Sequence, residues 1–228
     1  MQDKLKREII TTGDGSTTIH LPDWNEQYHS KHGAINEAKH VFIESGFNHI
    51  LKSKVLNPLY ILEIGFGTGL NAFITFLEAE KINQKVNYTG VEAYPVAFEE
   101  AKLMNYAETL LAKEKEEVFK IMHESEWEKL ILITEDYELT KRQQFFADIE
   151  DKNSFNLIYF DAFGARVQPE LWTTAIFQKM YNALKKGGAL VTYAAKGSVR
   201  RAMQEVGFMV ERLPGPPGKR EMLRATKL

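Results

Sequence analysis

The chain has 228 residues, of which 44% are hydrophobic, and it contains no cysteine. This composition argues against intrinsic disorder and excludes disulfide bonds, a thiol nucleophile and a zinc site built from cysteine. No stretch reaches the roughly 18 apolar residues of a transmembrane helix, and no apolar run follows the charged N-terminus as it does in a signal peptide. We expect one domain, residues 1–228, in the reducing cytoplasm.

Charge is distributed unevenly along the chain, although the formal net charge is only −2. From Lys185 to the C-terminus there are ten Lys or Arg and three acidic residues, a balance of +7 that leaves −9 on the preceding residues. This separation predicts either a positive face for an anionic partner such as nucleic acid, or a solvated basic tail.

The first 55 residues are predicted to form an extension ahead of the core. Apolar and polar residues alternate over residues 9–20 around the turn signal Gly13-Asp14-Gly15, which predicts a β-hairpin. Residues 29–50 have helical periodicity. Residues 56–228 then alternate strand and helix signals, a pattern typical of a parallel sheet covered by helices.

The core elements follow Asn57-Pro58 in a regular order. Strands are predicted at 59–64, 86–92, 137–144, 155–160 and 189–194, and helices at 68–80, 96–111, 170–184 and 198–205. We assign 113–134 to a helical insertion and 185–188 to a helix end with its glycine stop. A final strand pair, 208–213 and 221–226, completes seven strands of a doubly wound, Rossmann-like and mostly parallel sheet with an antiparallel edge.

The strongest motif is Leu62-Glu63-Ile64-Gly65-Phe66-Gly67-Thr68-Gly69-Leu70-Asn71, at a predicted junction between a strand and a helix. Glycines at alternate positions allow a sharp turn and bring a ligand against bare N–H groups at the helix start. Glu92 ends the next strand, 25 residues beyond Gly67, where a carboxylate can accept both ribose hydroxyls. Together these features predict a nucleoside site; the alternative is a purely structural turn.

The spacing Gly-x-Gly-x-Gly behind Glu63 differs from the dinucleotide fingerprint and resembles the first motif of class I methyltransferases. This resemblance implies S-adenosylmethionine as cofactor and S-adenosylhomocysteine as product. It also implies that Glu63 helps to hold the amino-acid part of the cofactor and that Glu92 holds the ribose. The position that holds adenine matches Gln143 or Gln144, of which we assign Gln144. The remaining predicted cofactor residues are Gly65, Phe66, Gly67, Thr68, Gly69 and Asn71.

Asp161 ends the fourth predicted core strand, beside the topological switch point where ligands bind in such sheets. A carboxylate there would face the methyl donor, so we predict Asp161 as the catalytic residue. The alternative is the common structural role of an aspartate that caps a helix or bonds a loop.

Motifs along nearly the whole chain resemble the methyltransferase part of the MnmC family, the tRNA 5-methylaminomethyl-2-thiouridine biosynthesis proteins. The resemblance implies N-methylation of the 5-aminomethyl group of a wobble uridine, usually 2-thiolated, in the tRNA anticodon loop. The FAD-dependent oxidase domain of that family has no counterpart here. We therefore expect a stand-alone methyltransferase without FAD, whose aminomethyl substrate upstream enzymes supply. The matching motifs are Tyr28-His29-Ser30, the glycine-rich loop, Glu92-Ala93-Tyr94-Pro95, Asp161-Ala162-Phe163, Val199-Arg200-Arg201 and Gly218-Lys219-Arg220-Glu221.

The implied mechanism is in-line displacement of the sulfonium methyl by the substrate amine, with Asp161 orienting the ammonium and favouring loss of its proton. Tyr28 and Tyr193 are candidates to stack on the uridine, although ordinary packing would also explain them. Phosphate contacts are predicted for the basic C-terminal third, where the alternative is exposed helix charge. The residues concerned are Lys196, Arg200, Arg201, Lys219 and Arg220.

Other hypotheses remain open at this point. The six histidines are scattered, and no carboxylate lies at metal-ligand spacing from His29 and His32, so we expect no metal. A methyl- or aminopropyltransferase for a small amine would use the same fold, and an acidic pocket without tRNA affinity would favour it. A non-catalytic module that binds S-adenosylmethionine is the third hypothesis.

Overall fold

The computed structural model describes residues 6–53 and 55–228, with the side chain of Ser53 left aside. The predicted extension 1–55 is thus covered except for residues 1–5 and 54, which lie outside the described residues. Two sheets are present, one of three strands and one of eight. Within the described ranges, no helix has both the length and the apolar composition needed to cross a bilayer.

The N-terminal sheet contains β1 (Glu8–Thr11), β2 (Thr17–Leu21) and β3 (Glu26–Gln27), all antiparallel. The β1–β2 pair confirms the predicted hairpin, and its turn is held by the Asp14 carboxylate, which accepts bonds from the Ser16 N–H and the Thr12 hydroxyl. A helical segment follows and begins at residue 34, because Gly33 has a φ of 142° that ends the preceding loop. It consists of α1 (Ala34–Ala38), π-helical turns (Lys39–Phe47) and α2 (Asn48–Ser53).

The core alternates strands and helices much as predicted. Its strands are β4 (Leu59–Ile64), β5 (Val86–Val91), β6 (Leu130–Thr134), β7 (Tyr137–Arg142), β8 (Phe155–Phe160), β9 (Leu184–Thr192), β10 (Met209–Pro214) and β11 (Glu221–Thr226). Its α-helices are α3 (Leu70–Lys81), α4 (Phe98–Ala101), α5 (Tyr106–Thr109), α6 (Glu116–Glu124), α7 (Thr174–Ala183) and α8 (Gly197–Glu205). Short 3₁₀ turns occupy Pro22–Trp24, Lys113–Lys115, Phe146–Asp148 and Pro169–Trp172.

The large sheet has the order β10-β11-β9-β8-β4-β5-β7-β6. Strands β4, β5, β7, β8 and β9 pair in parallel, while β11 is antiparallel to both of its neighbours. Strands β5 and β8 lie on opposite sides of β4, so the strand order reverses at β4. The carboxyl ends of these three strands therefore form the topological switch point of the sheet. The predicted Rossmann-like fold class is confirmed.

The predicted helical insertion over residues 113–134 was wrong in its second half. Residues 130–134 form β6, an eighth strand that pairs antiparallel with β7 at the sheet edge. Its sequence Leu-Ile-Leu-Ile-Thr does not alternate, and Leu130 and Leu132 remain 61% and 60% exposed. An edge strand without a buried face lacks the period of two by which strands are recognised.

Two helix predictions also needed correction. Residues 96–111 form two short helices, because Asn105 between them turns its side chain to the hairpin and accepts a bond from the Thr17 N–H at 2.8 Å. Helix α7 ends at residue 183, so the predicted helix end at 185–188 instead belongs to β9. Gly187 and Gly188 lie in the part of β9 where the register of the β8–β9 pairing shifts.

Apolar side chains fill both faces of the large sheet. The π-helical turns, α3 and α6 cover one face, and α7 and α8 cover the other. Each fully buried aliphatic or aromatic side chain contributes roughly 1.5–3 kcal/mol. Packing on both faces of the sheet thus fixes the positions of the carboxyl ends of β4, β5 and β8.

Gly90 on β5 generates a prediction about this packing. An added Cβ would overlap the ring of Phe66, which is 3% exposed and has no free space to yield. We expect Gly90→Ala to lower the free energy of unfolding by about 1–3 kcal/mol in urea denaturation. Gly164→Ala is the control, since the nearest atom to its Cβ lies 3.7 Å away. Equal stability of the two variants would contradict this packing.

Candidate active site

A cavity of about 1140 Å³ opens at the carboxyl ends of β4, β5 and β8. Gly65, Gly67, Glu92 and Asp161 line it from the sheet. Sites for one small ligand usually enclose roughly 300–1,000 Å³, so this cavity has room for a cofactor and a second reactant. Other elements close over it through Tyr28, Glu37, Phe163, Tyr193 and Lys219.

The glycine-rich loop enters the cavity at close range to two other segments. Gly65, Gly67 and Gly69 have φ values of 91°, 50° and 71°, a region that side chains other than glycine rarely adopt. A Cβ on Gly65 would lie 2.7 Å from the Asp161 carbonyl oxygen, and one on Gly67 would lie 3.1 Å from the Tyr28 ring. The predicted role of glycine in letting the backbone approach its neighbours therefore has a geometric basis.

Glu92 lies on the cavity wall directly after β5. Its carboxylate accepts bonds from the Gly67 N–H at 3.1 Å and the Tyr94 N–H at 3.0 Å. Burial raises the pKa of Glu92, and these backbone bonds oppose the rise. The carboxylate is thus fixed beside the glycine-rich loop, in the position expected for an acceptor of ribose hydroxyls.

Asn71 joins two carboxylates beneath the loop. Its Nδ2 donates to Glu63 Oε1 at 2.9 Å and to Asp161 Oδ2 at 2.8 Å. Glu63 is 0% exposed and lies behind the cavity wall, so the prediction that it contacts the cofactor directly needs correction. Glu63 lies on the central strand with its side chain in the packed layer, and Asn71, also a predicted cofactor residue, is 2% exposed and does not line the cavity either.

Asp161 occupies the cavity floor after β8, and its N–H donates to the Ile64 carbonyl at 2.9 Å. Burial raises the pKa of Asp161 to about 7, and the neighbouring charge of Glu37 adds to the rise. The bond from Asn71 and the charge of Lys219 act in the opposite direction. The carboxylate thus changes its protonation state near neutral pH, as a group that exchanges protons during catalysis should.

Lys219 lies inside the cavity, away from the exposed cations with which the sequence grouped it. Its ammonium is 2.5 Å from Glu37 Oε2 and 3.8 Å from the centre of the Tyr193 ring. Tyr193 in turn donates to the Ala162 carbonyl at 2.8 Å. A direct phosphate contact by Lys219 is therefore a poor interpretation, because its charge is already paired with a buried carboxylate.

Aromatic side chains form one wall of the cavity. Tyr28 and Trp24 both pack edge-on against Phe163, with ring centres 5.0 and 5.7 Å apart. Burial raises the pKa of Tyr28 to about 12, so its hydroxyl stays neutral. Such a wall suits a flat base, as predicted for Tyr28, whereas Tyr193 presents its ring to Lys219.

The other predicted residues lie outside the cavity. Phe66, Thr68 and Gly69 pack behind the loop, and Gln144 does not line the cavity although Gln143 does. Lys196 and Arg201 are exposed at α8, and Arg220 in the β10–β11 loop is 90% exposed, whereas Arg200 is half-buried and its Nε is enclosed. Across residues 6–53 and 55–228, none of Lys196, Arg200 and Arg201 forms an ion pair. The described chain also holds no group of three or more His, Asp or Glu side chains placed to bind a metal ion.

The sequence analysis missed two residues that support the loop. His123 Nε2 lies 2.9 Å from the Thr68 carbonyl oxygen, and burial lowers the pKa of His123 to about 4, so a neutral ring donates this bond. Lys141 is 1% exposed and donates to the His123 carbonyl at 2.6 Å. Burial lowers the pKa of Lys141 to about 8. The one signal in the sequence for either residue was a lysine, Lys141, at a buried position of a strand.

We predict that His123 positions the loop for ligand binding. His123→Phe would leave the buried Thr68 carbonyl unpaired, which costs roughly 1–3 kcal/mol, and we expect about tenfold weaker binding of S-adenosylhomocysteine by calorimetry. His123→Gln retains an N–H donor and should lose less. The role is wrong if His123→Phe binds S-adenosylhomocysteine as tightly as the parent chain.

Comparison with known proteins identifies relatives over most of the chain. A family model described as S-adenosyl-L-methionine-dependent methyltransferase matches residues 98–228. The tRNA 5-methylaminomethyl-2-thiouridine biosynthesis bifunctional protein MnmC of Leptospira borgpetersenii is 29% identical in an alignment of 215 residues that covers 88% of this chain and 32% of that protein. The MnmC protein of Delftia acidovorans is 29% identical over 91% of this chain and 33% of its own length. The chain thus spans about a third of these relatives.

Solved structures with the same fold include MnmC2 from Aquifex aeolicus, with a TM-score of 0.77 and 23% identity over 98% of this chain and 71% of that one. Spermidine synthase from Thermotoga maritima has a TM-score of 0.57 and 15% identity over 100% of this chain and 70% of its own. Both likenesses concern the fold. The family model covers more than half of the residues, including Asp161 and the strands that follow it. The chain belongs to the S-adenosyl-L-methionine-dependent methyltransferase family.

Proposed function

We propose that this chain transfers the methyl group of S-adenosylmethionine to the 5-aminomethyl group of a wobble uridine or 2-thiouridine in tRNA, giving the 5-methylaminomethyl nucleoside. The observation that carries the proposal is Asp161, a carboxylate with a pKa of about 7 beside the glycine-rich loop of a cavity with room for two reactants. The names of the MnmC relatives supply the substrate class.

The residues around the loop fit the cofactor. Gly65 and Gly67 would let the cofactor come close to the backbone, and Glu92 would accept hydrogen bonds from the ribose hydroxyls. Asn71 Oδ1 is buried without a hydrogen-bond partner among the described residues, but Asn71 does not line the cavity, so we assign it to holding Glu63 and Asp161 in place. We assign Gln143, rather than Gln144, to the adenine end, because it lines the cavity. When bound, the cofactor supplies a methyl group on a positively charged sulfur.

The charge of the cavity suits two cationic reactants. Its lining carries three cations, Arg7, Lys31 and Lys219, against six carboxylates. Opposite charges attract strongly where water is excluded, so both a sulfonium and an alkylammonium are favoured here. The carboxylates are those of Glu26, Glu37, Glu92, Glu100, Asp161 and Glu170.

Asp161 would orient the substrate and receive its proton. The amine attacks only after it loses a proton, because its lone pair forms the new N–C bond while the C–S bond breaks and the sulfur leaves as a neutral thioether. A carboxylate with a pKa of about 7 takes that proton more readily than an ordinary aspartate and can release it to water. The rest of the rate comes from holding nitrogen about 3 Å from the methyl carbon and in line with sulfur.

A small-amine substrate is the second candidate, and the acidic cavity is the observation that favours it. The surface charge favours tRNA instead. The exposed Lys196, Arg201 and Arg220, with the half-buried Arg200 beside them on α8, would contact the phosphates of the anticodon loop. The substrate would come from upstream enzymes in the cytoplasm, and the chemistry requires neither FAD nor a metal.

The experiment that tests the proposal incubates the purified chain with labelled S-adenosylmethionine and tRNA bearing 5-aminomethyluridine. Unmodified tRNA and free polyamines serve as controls, and mass spectrometry of the nucleosides locates the methyl group. Transfer to the aminomethyl nitrogen alone supports the proposal. Transfer to polyamines with none to tRNA would establish the small-amine alternative in its place.

Asp161 generates a prediction about pH. Its raised pKa means that it is protonated below about pH 7, so kcat/KM should rise as pH increases through this value. Asp161→Asn should lower kcat by about 10²–10⁴-fold and remove the inflection near pH 7, while the rise caused by the amine at higher pH remains. Binding of S-adenosylhomocysteine is the control for folding. An unchanged turnover or pH profile would contradict the role.

The basic surface generates a prediction about salt. We expect Arg200→Ala with Arg201→Ala to weaken tRNA binding about tenfold at low salt and to reduce the slope of log K against log salt by roughly 1–2. Lys113→Ala is the matched control, since Lys113 is exposed and does not line the cavity. If the double variant binds tRNA like the control across the salt series, α8 is not part of the tRNA surface.

A further inference from the structure

Lys219 is the one described side chain that brings a primary ammonium group into the cavity near Asp161 while being paired with a buried carboxylate. It lies in the β10–β11 loop, beside Gly218, which also lines the cavity. Its ammonium contacts Glu37 Oε2 at 2.5 Å and the face of Tyr193, whose ring centre is 3.8 Å away. The contacts of Lys219 thus show where a primary ammonium group can bind in the cavity.

The groups that receive this ammonium are fixed by contacts of their own. Glu37 is 6% exposed, and its Oε1 accepts a bond from the Ser30 N–H at 3.1 Å. Tyr193 is anchored by its hydroxyl, which donates to the Ala162 carbonyl, next to Asp161. The receiving groups are therefore preorganised on the sheet and the helical segment.

Lys219, by contrast, is carried by a loop that is bonded mainly to itself. The Lys219 N–H donates to the Pro216 carbonyl at 2.9 Å, and the Gly215 N–H donates to the Arg220 carbonyl at 3.1 Å. Outside the loop, Pro214 is held by His40 at 2.9 Å. The Lys219 side chain is itself 33% exposed, and Gly218 beside it packs against His32, so the lysine side chain can withdraw towards solvent by rotating about its own bonds while the loop stays in place.

We propose that Glu37, Tyr193 and Asp161 form a subsite for a primary alkylammonium group, and that Lys219 occupies this subsite until the aminomethyl group of the substrate displaces it. The proposal rests on the proposed function for the identity of the nucleoside that carries the amine. Glu37 and Tyr193, the two groups that Lys219 contacts, define the subsite, and Asp161 lines the same cavity next to Ala162, to which the Tyr193 hydroxyl is bonded.

The chemistry of the subsite selects for charge. An ammonium gains an ion pair with a buried carboxylate and a cation–π contact, whereas a hydroxyl of similar size gains neither. An internal occupant also lowers the apparent affinity for substrate by the fraction of molecules in which the subsite is free.

The test measures binding of the nucleoside 5-aminomethyluridine to the chain saturated with S-adenosylhomocysteine, by calorimetry. The nucleoside has no phosphate, so any phosphate contact of the loop drops out of the measurement. The matched ligand is 5-hydroxymethyluridine, which has the same shape without the charge. Lys219→Met removes the ammonium and retains the length of the side chain, and Lys113→Met is the control variant at an exposed position away from the cavity.

We expect Lys219→Met to bind 5-aminomethyluridine about five- to tenfold more tightly than the parent chain, with no change for 5-hydroxymethyluridine or for Lys113→Met. Glu37→Gln retains a side-chain oxygen for the Ser30 N–H and should bind the amine at least tenfold more weakly. Equal or weaker binding by Lys219→Met, or the same gain for both nucleosides, overturns the proposal. Because the readout is binding, failure of tRNA methylation alone would leave the subsite standing and refute only the proposed function.

Discussion

The hydrogen bonds of Asn71 to two carboxylates form the contact on which the rest of the site depends. Glu63 lies on β4 and Asp161 directly follows the neighbouring parallel strand β8, and burial raises the pKa of both. Without the amide between them, two buried acidic groups would face each other unpaired, which is costly in a low-dielectric interior. Helix α3 begins directly after the glycine-rich loop and so places Asn71 between them. The left-handed glycines, the helix start and the position of Asp161 are therefore parts of one arrangement.

The distribution of charge distinguishes the cavity from the outer surface of the described chain. Inside the cavity, carboxylates outnumber cations and favour a sulfonium and an amine. Outside it, exposed arginines and lysines around α8 and the β10–β11 loop favour phosphates. Lys219 lies at the boundary, since its loop is basic and its side chain enters the acidic cavity.

The sequence predicted the parts of the molecule that local patterns encode. The buried strands β4, β5 and β8, the glycine spacing and the carboxylates at the strand ends all follow from composition at fixed positions. Contacts that join distant segments were not predictable, because no local pattern specifies them. Lys219 meets Glu37 across 182 residues of chain, and His123 reaches Thr68 across 55. Glu63 was assigned to the cofactor for a related reason, since its place in the motif does not reveal that its side chain is 0% exposed and bonded to Asn71 in the packed layer.

The central claim is that the carboxyl ends of β4, β5 and β8 hold the methyl donor and the amine on either side of a transferable methyl group. A crystal structure of the chain with S-adenosylhomocysteine and 5-aminomethyluridine tests it most directly. The account predicts the ribose of the cofactor on Glu92, and the amine nitrogen within about 3 Å of the Asp161 carboxylate and facing the sulfur. A cofactor bound away from the glycine-rich loop, or an amine with no contact to Asp161, would contradict it.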